Sequence, residues 1–168
     1  MADLLSIVSP LYDEAAVVEE FVRRVQSVLS GLDMASEIIL VDDGSTDGTW
    51  ELVEQLASRY PNVKGVRLSR NFGHQYALMA GLNAASGDAV IMMDGDLQHP
   101  PHLIPRLLEK WREGYQIVNT IRTNTADISP LKRGLSGAFY GFINRISEVP
   151  ITPNAADFRL VDRRVVEV

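Results

Sequence analysis

The feature that most constrains the fold is a regular alternation of short apolar runs with stretches of helical period. Apolar runs typical of buried strands occupy residues 4–9, 38–41, 63–68, 89–93 and 115–121. Helical spacing between them predicts helices over residues 14–31, 47–60, 72–85 and 101–113. Because each connection is long enough for a crossover helix, we predict an α/β fold with a mostly parallel sheet and helices on both faces.

Composition and charge limit the classes of protein to which the chain can belong. Its 168 residues, 46% hydrophobic and 23% charged, are ordinary for one globular domain. Cysteine is absent, which excludes disulfides, thiolate metal sites and a cysteine nucleophile. The formal net charge of −6 argues against a general nucleic-acid binder. The sequence has no apolar run of about 18 residues and no signal-peptide pattern, so we expect a cytoplasmic chain.

Charge is distributed unevenly along the chain. Residues 1–121 carry 9 basic and 17 acidic side chains, a net charge of −8, whereas residues 122–168 carry 7 and 5, a net charge of +2. This asymmetry favours metal-assisted binding in the first part and contact with an anion in the second, with ordinary variation of surface charge as the alternative.

Acidic residues cluster where the predicted strands end. The segments that follow four of the strands are residues 10–14, 42–45, 69–74 and 94–98, and three of them contain carboxylates. Because the carboxyl ends of parallel strands meet at one edge of a sheet, we expect these segments to surround one ligand site.

Asp94 and Asp96 are separated by one glycine directly after an apolar strand. Both carboxylates can turn toward one hard cation such as Mg²⁺ or Mn²⁺, which prefers oxygen ligands and often shares its shell with substrate phosphates. Gln98 could add a carbonyl oxygen or hold a metal-bound water. A solvated acidic turn is the structural alternative.

Residues 42–47 permit three interpretations. Asp43 and Ser45 suit a tight turn, and Thr46 or Asp47 suits a helix N-cap. Alternatively, Asp43 accepts hydrogen bonds from a nucleotide base or ribose. Residues 43–54 also match the spacing of a calcium loop, but the apolar run before them predicts a strand, not the helix that enters such a loop.

Several other polar residues have both a structural and a functional interpretation. Tyr12 either packs against the protein or stacks on a base, and Glu14 either caps a helix or binds a ribose hydroxyl. His74, His99 and His102 are too scattered to indicate a zinc site, so we expect exposed or hydrogen-bonding histidines.

The segment 122–168 adds candidates for phosphate and acceptor binding. Arg122 closes the fifth predicted strand and could bind phosphate. Asp157 and Arg159 point to the same side of a predicted strand, either as a structural ion pair or with Asp157 at the reacting centre and Arg159 on phosphate or acceptor. Residues 131–146 have helical spacing with apolar and basic residues, which suits a helix at a membrane interface or one packed on the sheet.

Together these motifs resemble family 2 glycosyltransferases with the GT-A fold. The matching segments are Pro10-Leu-Tyr-Asp-Glu14, Val41-Asp-Asp-Gly-Ser-Thr-Asp-Gly-Thr49, Ser69-Arg-Asn-Phe-Gly-His-Gln75, Ser86-Gly-Asp88 and Met93-Asp-Gly-Asp-Leu-Gln-His-Pro-Pro101. The last segment and Asp157-Phe-Arg-Leu160 are similar to the polyprenyl-phosphate branch, which includes dolichyl-phosphate mannose synthases and bactoprenol glucosyltransferases. Such enzymes usually continue beyond the position of Val168, often into transmembrane helices, so the resemblance implies the catalytic domain of a longer protein.

The resemblance also implies roles for individual residues. Those that match the nucleotide-sugar pocket are Pro10, Tyr12, Glu14, Val41, Asp43, Asp94 and Gly95. Those that match the surroundings of Mg²⁺ or Mn²⁺ are Asp94, Asp96 and Gln98. The implied catalytic residues are Asp96, Arg122 and Asp157. Residues 1–121 would then bind nucleotide sugar and metal, and residues 122–168 would form the acceptor side of one domain.

The implied reaction is transfer of a hexose from a UDP- or GDP-hexose to a polyprenyl phosphate, undecaprenyl or dolichyl, with inversion. A cation at Asp96, with help from Arg122, would stabilise the departing diphosphate. The acceptor lipid would place the longer protein at the cytoplasmic face of a membrane, and formation of a homo-oligomer is left open.

Two other hypotheses remain. A sugar hydroxyl as acceptor, in polysaccharide or cell-wall synthesis, would need a base and would make Asp157 indispensable. A non-catalytic nucleotide- or calcium-binding module would bind without sugar turnover.

Overall fold

The strands of the chain form a sheet that is flanked by helices. The computed structural model describes residues 3–121 and 155–167. Within these residues the strands are β1 (Leu4–Leu11), β2 (Ala35–Asp42), β3 (Val63–Arg67), β4 (Ala89–Met92), β5 (Ile117–Ile121) and β6 (Ala155–Asp162). The helices are α1 (Val18–Leu29), α2 (Thr49–Arg59), α3 (His74–Ala84), α4 (Ile104–Arg112), which directly follows a 3₁₀ turn (Pro101–Leu103), and α5 (Arg163–Val166).

Parallel pairing dominates the sheet, whose strand order is β3-β2-β1-β4-β6-β5. Strand β1 pairs in parallel with β2 on one side and with β4 on the other, and β2 pairs in parallel with β3. Strand β6 runs antiparallel to β4, with Ala89 opposite Asp162 and Met92 opposite Arg159. The predicted α/β fold with a mostly parallel sheet is therefore confirmed, and β6 is the strand that reverses direction.

The predicted elements have the observed type but differ at their ends. Helix α1 begins at Val18 and not at Glu14, because the Glu14 carbonyl accepts two backbone N–H groups in a turn that precedes the helix. Phe72 and Gly73 stay outside α3, because the carboxylate of Asp43 accepts both of their N–H groups. A backbone turn before α1 and the Asp43 side chain before α3 thus set helix boundaries that periodicity alone placed a few residues too early.

Helices cover both faces of the sheet. The consecutive β1 residues Ile7 and Val8 are both fully buried, although their side chains point to opposite faces. On one face α3 lies very close to the sheet at Gly81, where a Cβ would stand 2.3 Å from Val8 Cγ1 and 3.0 Å from Val41 Cγ2. Helix α1 buries an apolar stripe made of Val18, Phe21, Val22, Val25 and Leu29.

Contacts along the chain separate residues 3–118 and 157–167 from a second group, residues 119–156. Only 119–121 and 155–156 of that second group are described. The predicted loop at 122–130 and helix at 131–146 lie outside the described residues, and the expected division near residue 121 stays a prediction. Among residues 3–121 and 155–167, no helix has the length and apolarity to cross a bilayer.

A buried carboxylate ties together the amino edge of the sheet. Glu37 in β2 is 5% exposed, and its oxygens accept hydrogen bonds from Ser6 Oγ at 2.6 Å, the Ser86 N–H at 2.7 Å and Lys64 Nζ at 2.6 Å. Ser6 Oγ in turn accepts the N–H of Gly87. Burial raises the pKa of Glu37, but these donors outweigh burial and lower its pKa overall. One side chain therefore links β1, β2, β3 and the loop before β4.

Replacing Glu37 with Gln should lower the free energy of unfolding by about 1–2 kcal/mol at pH 7, because the amide loses the charge-assisted bond to Lys64. The depressed folded-state pKa means that the carboxylate stabilises the fold above its unfolded-state pKa. That contribution is lost as pH falls through the folded-state value. Urea denaturation should therefore show a gap between wild type and variant at pH 7 that shrinks toward pH 3.

Glu54→Gln is the matched control, since Glu54 is exposed on α2. It should change the free energy of unfolding by less than about 0.5 kcal/mol. An equal loss for Glu37→Gln at both pH values would show that charge does not provide the stabilisation.

Candidate active site

The carboxyl edge of the parallel strands opens into a cavity of about 290 Å³. Strand β1 is central, and the chain adds β2 and β3 on one side before it crosses to β4 on the other. Open α/β sheets bind ligands at such a switch point, outside the carboxyl ends of the strands. The cavity lies there, lined by residues from the loops after all four parallel strands.

Most of the residues predicted to bind nucleotide sugar and metal meet in this cavity. Those on its walls are Pro10, Tyr12, Glu14, Asp43, Asp94, Gly95 and Asp96. Tyr12 is 46% exposed. Gly95 allows the loop after β4 to lie against β1, since a Cβ there would stand 2.3 Å from Leu11 Cδ2.

Asp43 holds the loop that leads into α3. Its Oδ1 accepts the N–H of Phe72 at 2.8 Å, and its Oδ2 accepts the N–H of Gly73 at 2.9 Å. The residue is 3% exposed, and its own N–H donates to the Leu11 carbonyl at 2.9 Å. Asp43 thus joins the ends of β1 and β2 to the loop after β3. Each carboxylate oxygen has a second lone pair with which to accept from a ligand.

A second set of hydrogen bonds joins the loops after β1 and β2. Asp13 Oδ1 accepts the N–H of Thr46 at 2.8 Å, and the N–H of Asp13 donates to Ser45 Oγ at 3.0 Å. Asp47 Oδ2 accepts the N–H of Ala15 at 3.0 Å. These hydrogen bonds therefore hold the loop after β1 against the loop after β2.

The same contacts argue against the calcium-loop interpretation of residues 43–54. Asp47 Oδ1 accepts the N–H of Thr49 at 3.0 Å and its O–H at 2.6 Å. The N-cap of α2 is nevertheless Gly48, without a side-chain capping bond, so the prediction of an N-cap at Thr46 or Asp47 is wrong. Glu54, the last ligand position of a calcium loop, lies inside α2. A turn held by side-chain hydrogen bonds accounts for the pattern.

The loop after β4 fixes Asp94 and Asp96. Asp96 Oδ1 accepts the N–H of Gln98 at 2.9 Å, and the N–H of Asp94 donates to His99 Nδ1 at 3.2 Å. His99 is 4% exposed and stacks on Phe158 of β6, with ring centroids 5.5 Å apart. Both carboxylates therefore belong to a loop that is held in place by the buried His99 ring and its contact with β6.

Backbone strain is concentrated beside the cavity. In the described chain the non-glycine residues with positive φ are Asp13 at 53° and Leu97 at 64°. Asp13 precedes Glu14, and Leu97 follows Asp96. Conformations of this kind are costly and occur preferentially at functional sites.

Carboxylates crowd the cavity and repel one another. The pKa of Glu14 is raised by partial burial and then by the charges of Asp96, Asp47 and Asp94. His74 Nε2 lies 3.7 Å from Asp94 Oδ1. Among the described residues of the lining, His74 is the side chain that can carry positive charge. The excess of negative charge favours a bound cation.

The donor set fits a divalent cation that shares its ligands with a substrate. Within residues 3–121 and 155–167, no three acidic or histidine side chains converge into a complete metal cluster. Mg²⁺ and Mn²⁺ are commonly held by one or two carboxylates while substrate phosphates and water complete the shell. Asp94 and Asp96 can supply those carboxylates.

The other predicted site residues are placed elsewhere or are not fully described. Val41 is fully buried in the apolar core under α3, so its side chain does not reach the cavity. The side chain of Gln98 is exposed in a separate depression, and its contact with Asp96 is made by its backbone N–H. Arg122 lies outside the described residues, as does the side chain of Asp157, which belongs to β6.

The sequence interpretation missed two polar residues of the lining, Asn71 and His74. Both follow β3 and lie in Ser69-Arg-Asn-Phe-Gly-His-Gln75, one of the segments that carry the family resemblance. Position after a strand was the available signal. That signal placed the segment 69–74 at the ligand site but does not single out individual side chains within it.

Known proteins share both the sequence and the architecture. An uncharacterised glycosyltransferase from Synechocystis is 45% identical over 162 residues, which are 96% of this chain and 51% of that protein. A bactoprenol glucosyl transferase from Shigella phage SfV is 40% identical over 163 residues, 97% of this chain and 53% of that protein. The chain thus spans about half the length of the curated relatives it matches.

A solved structure agrees with the fold. Glucosyl-3-phosphoglycerate synthase from Mycobacterium tuberculosis, in complex with Mn²⁺, UDP and glucosyl-3-phosphoglycerate, superimposes with a TM-score of 0.63 at 25% identity, over 97% of this chain and 58% of that one. The family profile described as "Glycosyl transferase family 2" matches residues 6–168. With nearly its whole length matched, the chain belongs to glycosyl transferase family 2 and has the GT-A fold.

Proposed function

We propose that the chain is the catalytic domain of a metal-dependent, inverting glycosyltransferase that moves a hexose from a nucleoside-diphosphate sugar to a polyprenyl phosphate. The observation that carries this proposal is the acidic cavity at the switch point of the sheet, which is lined by Asp43, Asp94 and Asp96. The relative named as a bactoprenol glucosyl transferase supports the acceptor. The structural neighbour with UDP and Mn²⁺ supports the donor class and the metal.

The nucleoside of the donor fits between the loops after β1 and β2. Tyr12 offers a half-exposed ring on which a base can stack. Asp43 and Glu14 offer carboxylate oxygens to donors on the base or ribose. Pro10 and Gly95 form apolar and backbone surface, and the missing side chain of Gly95 lets the nucleotide sugar approach the loop.

Asp96 and Asp94 would hold Mg²⁺ or Mn²⁺ against the diphosphate. When bound, the cation would offset the charge that develops on the departing diphosphate. The N–H of Gln98 fixes Asp96 Oδ1 and so orients the carboxylate. Arg122 is proposed to contact the same phosphates.

The acceptor phosphate needs no strong base. A phosphate monoester has a second pKa of about 6, so it is largely a dianion near neutral pH. Its oxygen bonds to the anomeric carbon as the bond to the diphosphate breaks, and this single displacement inverts the configuration. Asp157 then orients the reactants and does not remove a proton. Such a lipid acceptor places the reaction at the cytoplasmic face of a membrane.

Calorimetric titration tests the donor site. UDP and GDP are titrated into the chain, each with and without Mn²⁺, and one of them should bind more tightly when Mn²⁺ is present. Asp96→Asn should reduce the Mn²⁺-dependent gain by at least about tenfold, because it removes a ligand charge. Asp33→Asn, in the exposed turn between α1 and β2, is the control and should bind like wild type. Failure of the wild type to bind either nucleotide would refute the proposal.

Replacement of Asp157 with Asn distinguishes a phosphate acceptor from a hydroxyl acceptor. Transfer of labelled hexose to polyprenyl phosphate should fall by less than about tenfold, since an ionised phosphate needs no general base. A general base typically contributes about 10²- to 10⁴-fold, so a loss of that size would show that Asp157 removes a proton, as a hydroxyl acceptor requires, and would contradict a role in orientation alone. Urea denaturation of the variant separates a catalytic loss from unfolding.

A further inference from the structure

We propose that His99 is a positioning residue for the reaction, because its Nδ1 closes the loop of residues 94–99 and so places the two carboxylates of that loop. His99 lies outside the lining of the cavity and acts through the backbone of Asp94. The inference rests on the proposed function, since it takes Asp94 and Asp96 to hold a divalent cation against the diphosphate.

The first argument is that the hydrogen bond of His99 joins the two ends of this loop. The N–H of Asp94 donates to His99 Nδ1 at 3.2 Å. Inside the closed loop, Asp96 Oδ1 accepts the N–H of Gln98 at 2.9 Å. The backbone from which each carboxylate extends is thus tied to the same short segment, whose far end is His99.

The second argument is that His99 is itself held firmly. Its ring is buried and stacks on Phe158 of β6, with centroids 5.5 Å apart and 26° between the ring planes. Pro100 follows His99, and the residue before a proline is restricted to extended backbone. An acceptor fixed in this way holds the Asp94 N–H in one place before any ligand arrives, so little ordering is needed when the ligand binds.

The third argument is that stability alone does not explain a histidine at this position. Because Nδ1 accepts a hydrogen bond, the N–H of the ring is at Nε2. That nitrogen is buried and has no hydrogen-bond partner within residues 3–121 and 155–167. A buried N–H without a partner lowers stability, and a phenylalanine would pack on Phe158 without that cost. What the histidine adds is the acceptor at Nδ1.

Two substitutions separate the acceptor from the ring. His99→Phe keeps a buried ring but deletes Nδ1. His99→Asn deletes the ring but carries an amide oxygen as many bonds from the backbone as Nδ1 is, so it can still accept the Asp94 N–H. UDP and GDP are titrated calorimetrically into wild type and both variants, each with and without Mn²⁺, and urea denaturation measures the stability of each protein.

The two variants should fail in opposite ways. His99→Phe should reduce the Mn²⁺-dependent gain in nucleotide affinity by about tenfold or more, as is typical when a group that orients a metal ligand is lost. Its urea midpoint should stay close to that of wild type, because the lost hydrogen bond and the removed buried N–H offset one another. His99→Asn should keep most of the gain while its urea midpoint falls, because it loses the stacked ring.

Substitutions of His102 are the matched controls, since this histidine is exposed in the 3₁₀ turn that follows the loop. His102→Phe and His102→Asn should bind both nucleotides like wild type, with and without Mn²⁺, and should leave the urea midpoint unchanged.

The outcomes separate this inference from the proposed function. If the wild type shows no Mn²⁺-dependent gain with either nucleotide, the proposed function fails and the role of His99 fails with it. If the wild type shows the gain, and both His99 variants lose it equally or neither loses it, only the positioning role is refuted. A His99→Phe protein that does not fold would likewise show that the residue serves the fold and not the site.

Discussion

Parallel pairing of β1 with both β2 and β4 is the constraint on which the site depends. Because β1 is bonded on both sides in the same direction, the residues that follow these strands must share the space at one edge. Several of those residues are acidic, and the pKa of Glu14 is raised by its partial burial and then by the charges of its acidic neighbours. Backbone N–H groups offset part of it, two at Asp43 and one at Asp96. The fold thus brings the carboxylates together and also supplies N–H donors that reduce the repulsion between them.

The two edges of the sheet treat a carboxylate in opposite ways. At the amino edge, Glu37 is surrounded by donors that include Lys64, and its pKa is lowered. At the carboxyl edge, Glu14 is partly buried and has acidic neighbours, and both raise its pKa. In the first arrangement the carboxylate oxygens accept hydrogen bonds from the protein itself, and this stabilises the fold. The second leaves oxygens available, which is what a site for a cation and a charged substrate requires.

Sequence periodicity predicted the element types and the gathering of carboxylates, because both follow from strand and helix spacing. The direction of β6 carried no local signal, since a short apolar run looks the same in either orientation. Val41 was assigned to the nucleotide pocket through the family resemblance, which does not tell whether the side chain or the backbone of a buried strand faces the ligand. Its side chain packs under α3.

Gln98 and His74 show two further limits of the sequence pattern. Gln98 was expected to contribute to the metal site as a close neighbour of Asp96 in sequence, but Leu97 adopts a φ of 64° and the side chain of Gln98 lies in a separate depression. His74 owes its place to the hydrogen bonds that Asp43 makes with the preceding loop. Contacts of this kind join residues about thirty positions apart, so no local pattern encodes them.

The close approach of α3 to the sheet has a consequence for tuning the enzyme. Gly81 lies two turns along the helix from its first residue, at the point where the absence of a side chain brings helix and sheet together. A larger residue at position 81 would push this part of α3 away from the sheet and tilt the helix, which would move its first residues. The α3 side of the cavity would thus shift in response to a substitution roughly 10 Å away along the helix axis, without a change in any residue of the cavity lining.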